Sequence, residues 1–284
     1  MARTLFCTVS DDRFAPGCKV MLYSLSRHCS EFAQADVCVF YDDELSPLSP
    51  HSQHDIRRAV NKVEFKAVDC NVYRTAKVPL ECRRPAYLAL EAFRQSEYEH
   101  VIFVDSDMLC LADVTPVLEQ SDDCDFMACA AWRDAGNPYQ QAGIHTGRWA
   151  QRRWFGIAGR RRVILNTGFF WVGKQFRSPA VYDALLQHVL RRTSKRGLTD
   201  QWAINTFFGT RQARLNLLPD VYNWRDLRAQ DTSALGETPK LLHYVGGRQQ
   251  PKPWLPGAPL DLPAYRLWHE YAAECDRTFV RNAA

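Results

Sequence analysis

Asp105 and Asp107 stand one residue apart at the end of the apolar run Val101-Ile102-Phe103-Val104. Successive strand side chains point to opposite faces, so the two carboxylates can share one side while Ser106 turns to the other. Two like charges at one strand end repel each other. A divalent cation between them removes that repulsion and, as a hard ion with oxygen ligands, can also hold a diphosphate. The same residues fit a plain strand followed by an acidic turn, so the motif is read together with the segments that follow it. These are Leu165-Asn166-Thr167-Gly168-Phe169, Asp200-Gln201, and His243 within Leu241-Leu242-His243-Tyr244-Val245, then Gly246, Lys252, Pro253 and Trp254. Each also has an ordinary reading: a turn asparagine, a helix-opening acid after Thr199 that favours the helix by its charge, and a structural histidine in an apolar strand.

In this order, from about Thr4 to Trp254, the segments resemble glycosyltransferase family eight, the family of glycogenin and of the bacterial lipopolysaccharide galactosyl- and glucosyltransferases. The resemblance implies a GT-A-like fold and a metal-dependent, retaining transfer of a hexose from a UDP-sugar to a hydroxyl acceptor. That acceptor would be a glycan, a lipid-linked sugar or a protein. It implies manganese, or magnesium in its place, on Asp105, Asp107 and His243. Asp200 and Gln201 fall at the reacting centre. Thr8, Val9, Ser10 and Asp12 fall at the uridine, and Arg84 is the nearest basic residue to a family position that meets phosphate or donor sugar. Asp105, Ser106, Asp134, Asn166, Thr167 and Gly168 line the donor, while Gly246 and Lys252 meet its diphosphate.

The chemistry suits these residue types. A cation stabilises the charge that grows on a departing nucleoside diphosphate. Neutral imidazole is a common ligand for manganese-class ions. A glycine lets the backbone approach an anion, and an ammonium sits on a phosphate oxygen. Amides and carboxylates bond several sugar hydroxyls at once. The chain also departs from the family pattern. It has Asp12-Arg13 where several members carry Asp-Asn or Asn-Asp, Leu88-Ala89-Leu90 fills the positions closer to the metal motif than Arg84, and Arg248-Gln249-Gln250-Pro251 widens the gap between Gly246 and Lys252, making Arg248 a competitor for the phosphate. Retention requires a covalent glycosyl-enzyme or attack from the face the diphosphate leaves. An amide oxygen is a poor nucleophile, so the residues favour same-face transfer with Gln201 steadying positive charge at the anomeric carbon, and Asp200 as the alternative nucleophile.

The elements that must position these groups alternate between strands and helices. Strands are expected over Thr4 to Val9, Asp36 to Tyr41, Val63 to Val68, Val101 to Val104 and Phe126 to Ala131, with Val163 to Val172 a strand interrupted at Asn166-Thr167-Gly168. Helices are expected over Cys18 to Ser30, His51 to Asn61, Pro85 to Phe93, Pro179 to Arg192, Thr199 to Phe208 and Ala264 to Cys275. The alternation predicts an α/β/α sandwich with a mainly parallel sheet and a Rossmann-like nucleotide half. One domain is expected over 1–284: a nucleotide-binding half (1–135), a basic aromatic insertion (136–162), a donor and acceptor half (163–256) and a helical tail (257–284). The insertion, with Arg148-Trp149, Arg152-Arg153-Trp154 and Arg160-Arg161-Arg162, reads either as an acceptor lid or as a solvated loop.

At 284 residues, 46% hydrophobic and 24% charged, the chain has the make-up of a globular protein with a sizeable core. A net charge of +4 gives no field for nucleic acid. The amino terminus has too short an apolar run for a signal peptide, and no stretch reaches the roughly 18 to 20 apolar residues of a membrane helix. Ten scattered cysteines without Cys-x-x-Cys spacing read as buried thiols of a reducing compartment. The expectation is a cytoplasmic protein, loosely associated at most with a membrane face. Two other readings were weighed. A nucleotidyltransferase lacks its Gly-rich phosphate loop here, and a non-catalytic sugar-nucleotide or RNA-binding module would not need Asp105, Asp107, His243 and Gln201 intact.

Overall fold

The computed structural model describes residues 3–69, 73, 75–76, 78, 81–131, 165–191, 199–209, 213–225, 227, 238–245 and 251–282. The basic aromatic insertion, Asp134, Gly246 and Arg248 lie outside these residues. Nine strands are described: β1 (Thr4–Val9), β2 (Asp36–Tyr41), β3 (Val63–Ala67), β4 (His100–Val104), β5 (Met108–Cys110), β6 (Phe126–Ala130), β7 (Leu165–Val172), β8 (Leu215–Leu218) and β9 (Leu241–His243). Five α-helices accompany them: α1 (Ala15–His28), α2 (Pro50–Ala59), α3 (Pro179–Arg191), α4 (Thr199–Gly209) and α5 (Pro263–Asn282).

Seven strands form one sheet in the order β3-β2-β1-β4-β7-β6-β8. All neighbours run parallel except β7, which is antiparallel to β4 and to β6. The expected mainly parallel α/β sheet is present. Alternate strand residues feed two apolar layers. Phe6, Val37, Val39, Ile102, Val104 and Phe169 pack toward Met21, Leu22 and Leu25 of α1 and Ile56 of α2. Leu5, Cys7, Phe40, Phe103 and Phe170 pack toward Leu90 and Phe93, Leu185 of α3 and Ile204 and Phe207 of α4. Apolar side chains on both faces require cover on both faces, and each large one contributes about 1.5–3 kcal/mol on burial.

The two amino-terminal helices start and stop on local chemistry. Pro16 sits in the first turn of α1, where a missing N–H costs nothing, and Arg27 and His28 face its carbonyl end. Ser49 caps α2, its hydroxyl accepting from Ser52 N at 3.3 Å.

Several expectations are corrected. The helix expected over Pro85 to Phe93 is a 3-10 stretch over Glu81–Arg94 with Pro85 inside it. A proline has no N–H for the α-helical ladder and its ring crowds the carbonyl four residues back, which disfavours α winding here. β7 runs through Leu165–Val172, and its pairing with β6 breaks register where the interruption is expected: Phe170 faces Ala128 but Leu165 faces Ala130, so Asn166, Thr167, Gly168 and Phe169 stand against Cys129 alone. β5 and β8 went unpredicted, because a short apolar run carries no period of its own. α5 continues past Cys275 to Asn282.

Strand order reverses between β1 and β4, so their carboxyl ends flank a crevice of the kind where doubly wound sheets bind ligands. A small second sheet, β5 with β9, closes that end and sets Met108 opposite His243. No helix among the described residues is long and apolar enough to cross a membrane. The eight cysteines whose side chains are described are buried free thiols.

Candidate active site

The site is built where β4 ends. Asp105 N–H donates to Gly168 O at 2.7 Å, Met108 N–H donates to Asp105 O at 3.2 Å, and Tyr244 N–H donates to Asp107 O at 2.9 Å. These bonds tie the acidic turn to β7 on one side and to the end of β9 on the other. Residues far apart in sequence thereby deliver Asp105, Asp107 and His243 to one point, with their ligand atoms all within 4.8 Å of one another. His243 Nε2 lies 3.2 Å from Asp107 Oδ1 and 3.6 Å from Asp105 Oδ2.

A chain of amides fixes the imidazole. The Gly168 N–H donates to Asn166 Oδ1 at 2.9 Å, which identifies that atom as oxygen. Asn223 therefore presents its NH2 to the same oxygen and turns its own Oδ1 to His243 Nδ1 at 2.8 Å. An acceptor there requires the proton on Nδ1, so Nε2 is the nitrogen turned toward the two carboxylates and the one that would bind a cation. Such an outer partner orients a metal-binding histidine and raises its basicity. The chain continues from Asn166 Nδ2 to Gln201 Oε1 at 3.4 Å. Gly168 is required by proximity as well, since a Cβ there would lie 2.5 Å from His243 Cε1.

Electrostatics divide the pair. Burial alone would raise the Asp107 carboxyl, but the His243 imidazole and the Lys252 ammonium outweigh it and hold the group well below the usual carboxylate range. Asp105 goes the other way. Burial first, then the Asp107 and Asp200 carboxylates, push it well above the usual range, with Lys252 opposing. Since 38% of the Asp105 side chain faces the cleft, water tempers the burial contribution, and the two neighbouring carboxylates carry the direction. The donor set of two carboxylates and one oriented imidazole, carrying more negative charge than its surroundings balance, fits a divalent cation of the manganese or magnesium class. Lys252, paired with Asp107 and donating to Tyr244 O at 2.7 Å, already stands there as a cation.

The other residues singled out from the sequence fall in three groups. Thr167 and Asp200 meet at the site's far wall, Thr167 Oγ1 donating to Asp200 Oδ2 at 2.5 Å, and Gln201, buried beside them at the start of α4, joins the amide chain. Thr8 and Val9 end β1 across the crevice with Ser10 just beyond, and the buried Thr8 hydroxyl has no partner among the described residues. Ser106 is buried at the acidic turn, its carbonyl 2.6 Å from where a Cβ on Gly17 would lie. Asp12 accepts from Ser49 N and Oγ, both at 2.8 Å, so it anchors the start of α2. Arg84 is buried away from solvent, donating to Tyr73 O and, at 2.7 Å, to Ala76 O.

Three contributors were not read from the sequence. Asn223 orients His243. Trp254 covers Gly17, donates to Arg13 O at 2.8 Å and meets Phe14 edge-on at 5.8 Å, locking the segment that carries Lys252 onto the start of α1. Tyr87 lies buried in the layer that packs against α4, the helix that carries Asp200. The Lys252-Pro253-Trp254 run was a signal for the second, whereas Asn223 and Tyr87 sit in no motif.

Comparison with known proteins agrees with this geometry. The family model for glycosyl transferase family 8 matches residues 6–257. Among curated proteins, none matches the sequence. Among solved structures, the bifunctional glycosyltransferase WbbM is similar at 17% identity and a TM-score of 0.66, over 96% of this chain and 50% of WbbM, so the chain spans about half of that protein. The galactosyltransferase LgtC, solved with donor and acceptor sugar analogues, is similar at 15% identity and a TM-score of 0.64 over 95% of both chains. The glycosyltransferase GlyE of Streptococcus pneumoniae TIGR4 is similar at 15% identity and a TM-score of 0.60, over 99% of this chain and 64% of GlyE. With a family match over most of its length and a GT-A fold that sets an Asp-x-Asp turn against a distant histidine, the chain belongs to glycosyltransferase family 8.

Proposed function

We propose that this glycosyltransferase moves a hexose from a UDP-sugar to a hydroxyl of a glycan or lipid-linked sugar, with retention and with manganese on Asp105, Asp107 and His243. One observation carries the reading: three ligands from two separate strand ends converge within 4.8 Å, with the imidazole held so that its Nε2 faces the carboxylates. When bound, the cation supplies positive charge against the diphosphate that leaves. The chain's own groups do the rest. The β1 end, with the unpartnered Thr8 hydroxyl, faces the nucleoside across the crevice. Lys252 turns from Asp107 to the diphosphate once a cation compensates the carboxylate. Gln201, tied to His243 through Asn166 and Asn223, sets its amide oxygen toward positive charge at the anomeric carbon. Asp200 is held by Thr167 as the neighbouring anion.

The test is donor hydrolysis across UDP- and GDP-sugars, with manganese and with chelator, for the wild type and for Asp107→Ala. The expected result is release from one UDP-sugar that chelator and substitution both abolish. A wild type that neither turns over a UDP-sugar nor binds UDP more tightly with manganese would remove the proposal.

A further inference from the structure

Tyr87 is completely buried, yet its hydroxyl has no hydrogen-bond partner among the described residues. An isosteric phenylalanine would fill the same space without stranding a polar atom, so the hydroxyl carries a cost that packing does not explain. The stranded Nδ1 of His100 belongs to the other end of β4, far from the crevice. Tyr87, in contrast, lies in the layer packed against α4, the helix that carries Asp200 and Gln201.

Its position follows from the helices. On α4, Asp200, Ala203, Ile204 and Phe207 are spaced as one stripe. Ala203, Ile204 and Phe207 are buried in the same apolar layer as Tyr87, where α4 packs against the Glu81–Arg94 stretch. Asp200 stands one turn earlier on that stripe, where the layer opens into the crevice. The charges around the phenol agree: after burial, the Asp200 carboxylate is the largest influence raising its pKa, with Arg84 opposing. The ring itself is fixed, stacked on Tyr73 with centroids 5.8 Å apart and planes 11° apart. Tyr73 is in turn anchored through Tyr182 at 2.7 Å and Glu91 at 3.2 Å. A rigid ring thus holds an unused donor in the layer packed against α4, the helix that carries Asp200.

We infer that Tyr87 is a positioning residue for transfer: when donor fills the crevice, its hydroxyl donates to the Asp200 carboxylate and fixes that anion beside the reacting carbon. The free protein keeps the hydroxyl in reserve, at a cost in stability. This rests on the reading of the site as a UDP-sugar transferase.

The experiment compares Tyr87→Phe with the wild type in melting temperature without ligand, and in kcat and KM for the UDP-sugar with manganese. Removing a stranded hydroxyl should raise the melting temperature by roughly 2 °C. Losing the positioned carboxylate should lower kcat about tenfold, with donor KM changed less than about twofold. A purely structural tyrosine would lower the melting temperature and leave kcat unchanged, and that pair of results overturns the inference, as does an unchanged kcat alone. If the wild type turns over no UDP-sugar, the donor reading fails, and the melting temperature alone then judges Tyr87: a rise supports a reserved hydroxyl and a fall overturns it.

Discussion

Glu91 and the Asp105–Asp107 pair are both acidic centres within this fold, and they are furnished in opposite ways. Glu91 is 1% exposed and surrounded by donors: Tyr73 at 3.2 Å and Tyr182 on Oε1, and Arg94 at 3.2 Å on Oε2. Nothing is left for a ligand to add. At the strand end, Asp105 faces Asp107 and Asp200, and the balancing groups, His243 and Lys252, gather around Asp107. A carboxylate kept for stability has its oxygens filled with donors, because an unmet buried charge is costly. A carboxylate kept for a cation is left short of them. The difference separates structural acids from functional ones by their partners, without reference to a motif.

Substitutions at the two centres should therefore fail differently. Asp107→Ala is expected to lower metal-dependent turnover by about three orders of magnitude, the range for losing a preorganised electrostatic group. Its melting temperature should stay within about 2 °C of wild type, because relief of repulsion with Asp105 offsets the lost pair with Lys252. Glu91→Ala should instead cost about 3 kcal/mol, or roughly 6 °C, since it leaves the Tyr73 and Tyr182 hydroxyls only each other, takes the acceptor from Arg94 and leaves a cavity. Turnover per folded molecule should change less than about threefold. The contrast breaks if Asp107→Ala melts as early as Glu91→Ala, or if Glu91→Ala is catalytically dead while folded.

A smaller effect is expected one bond further out. Asn223→Ala leaves all three ligands in place but frees His243 to rotate or to move its proton to Nε2. Manganese affinity by titration calorimetry should fall about 10- to 100-fold. Unchanged affinity would mean that packing against Gly168, and not the amide chain, holds the ring.

The sequence made the strands and the ligands legible to different degrees. β1, β2 and β4 could be read because their apolar runs carry their own signal, and Asp105 and Asp107 because they end one of them. His243 was legible through its company, the Gly246 to Trp254 segment. What stayed hidden were partnerships between distant segments: Asn223 with His243, Lys252 with Asp107, Trp254 over Gly17, and Tyr87 in the layer against the helix of Asp200. Spacing reports periodicity within one element, and none of these pairs lies within one. Arg84 shows the converse. Its residue type and place in the chain suggested phosphate, while the fold turns its guanidinium to the carbonyls of Tyr73 and Ala76.

The smallest effect tests whether a single partner suffices for a half-buried group between the two extremes. His28, in the last turn of α1, bonds Tyr271 of α5 through Nε2 at 2.6 Å. Burial, then Arg27, lowers its pKa below the ordinary value of 6.5, and Glu274 opposes. The unfolded chain thus takes up the proton more readily than the folded one. The stabilising contribution is therefore complete above pH 6.5 and is lost as pH falls through the lower folded value. Thermal melts should show wild type losing stability between about pH 6.5 and 5 relative to His28→Gln, whose amide stays neutral throughout. Parallel curves for the two proteins would show that Glu274 cancels the burial, and that this contact, like Glu91, is already balanced without help from solvent or ligand.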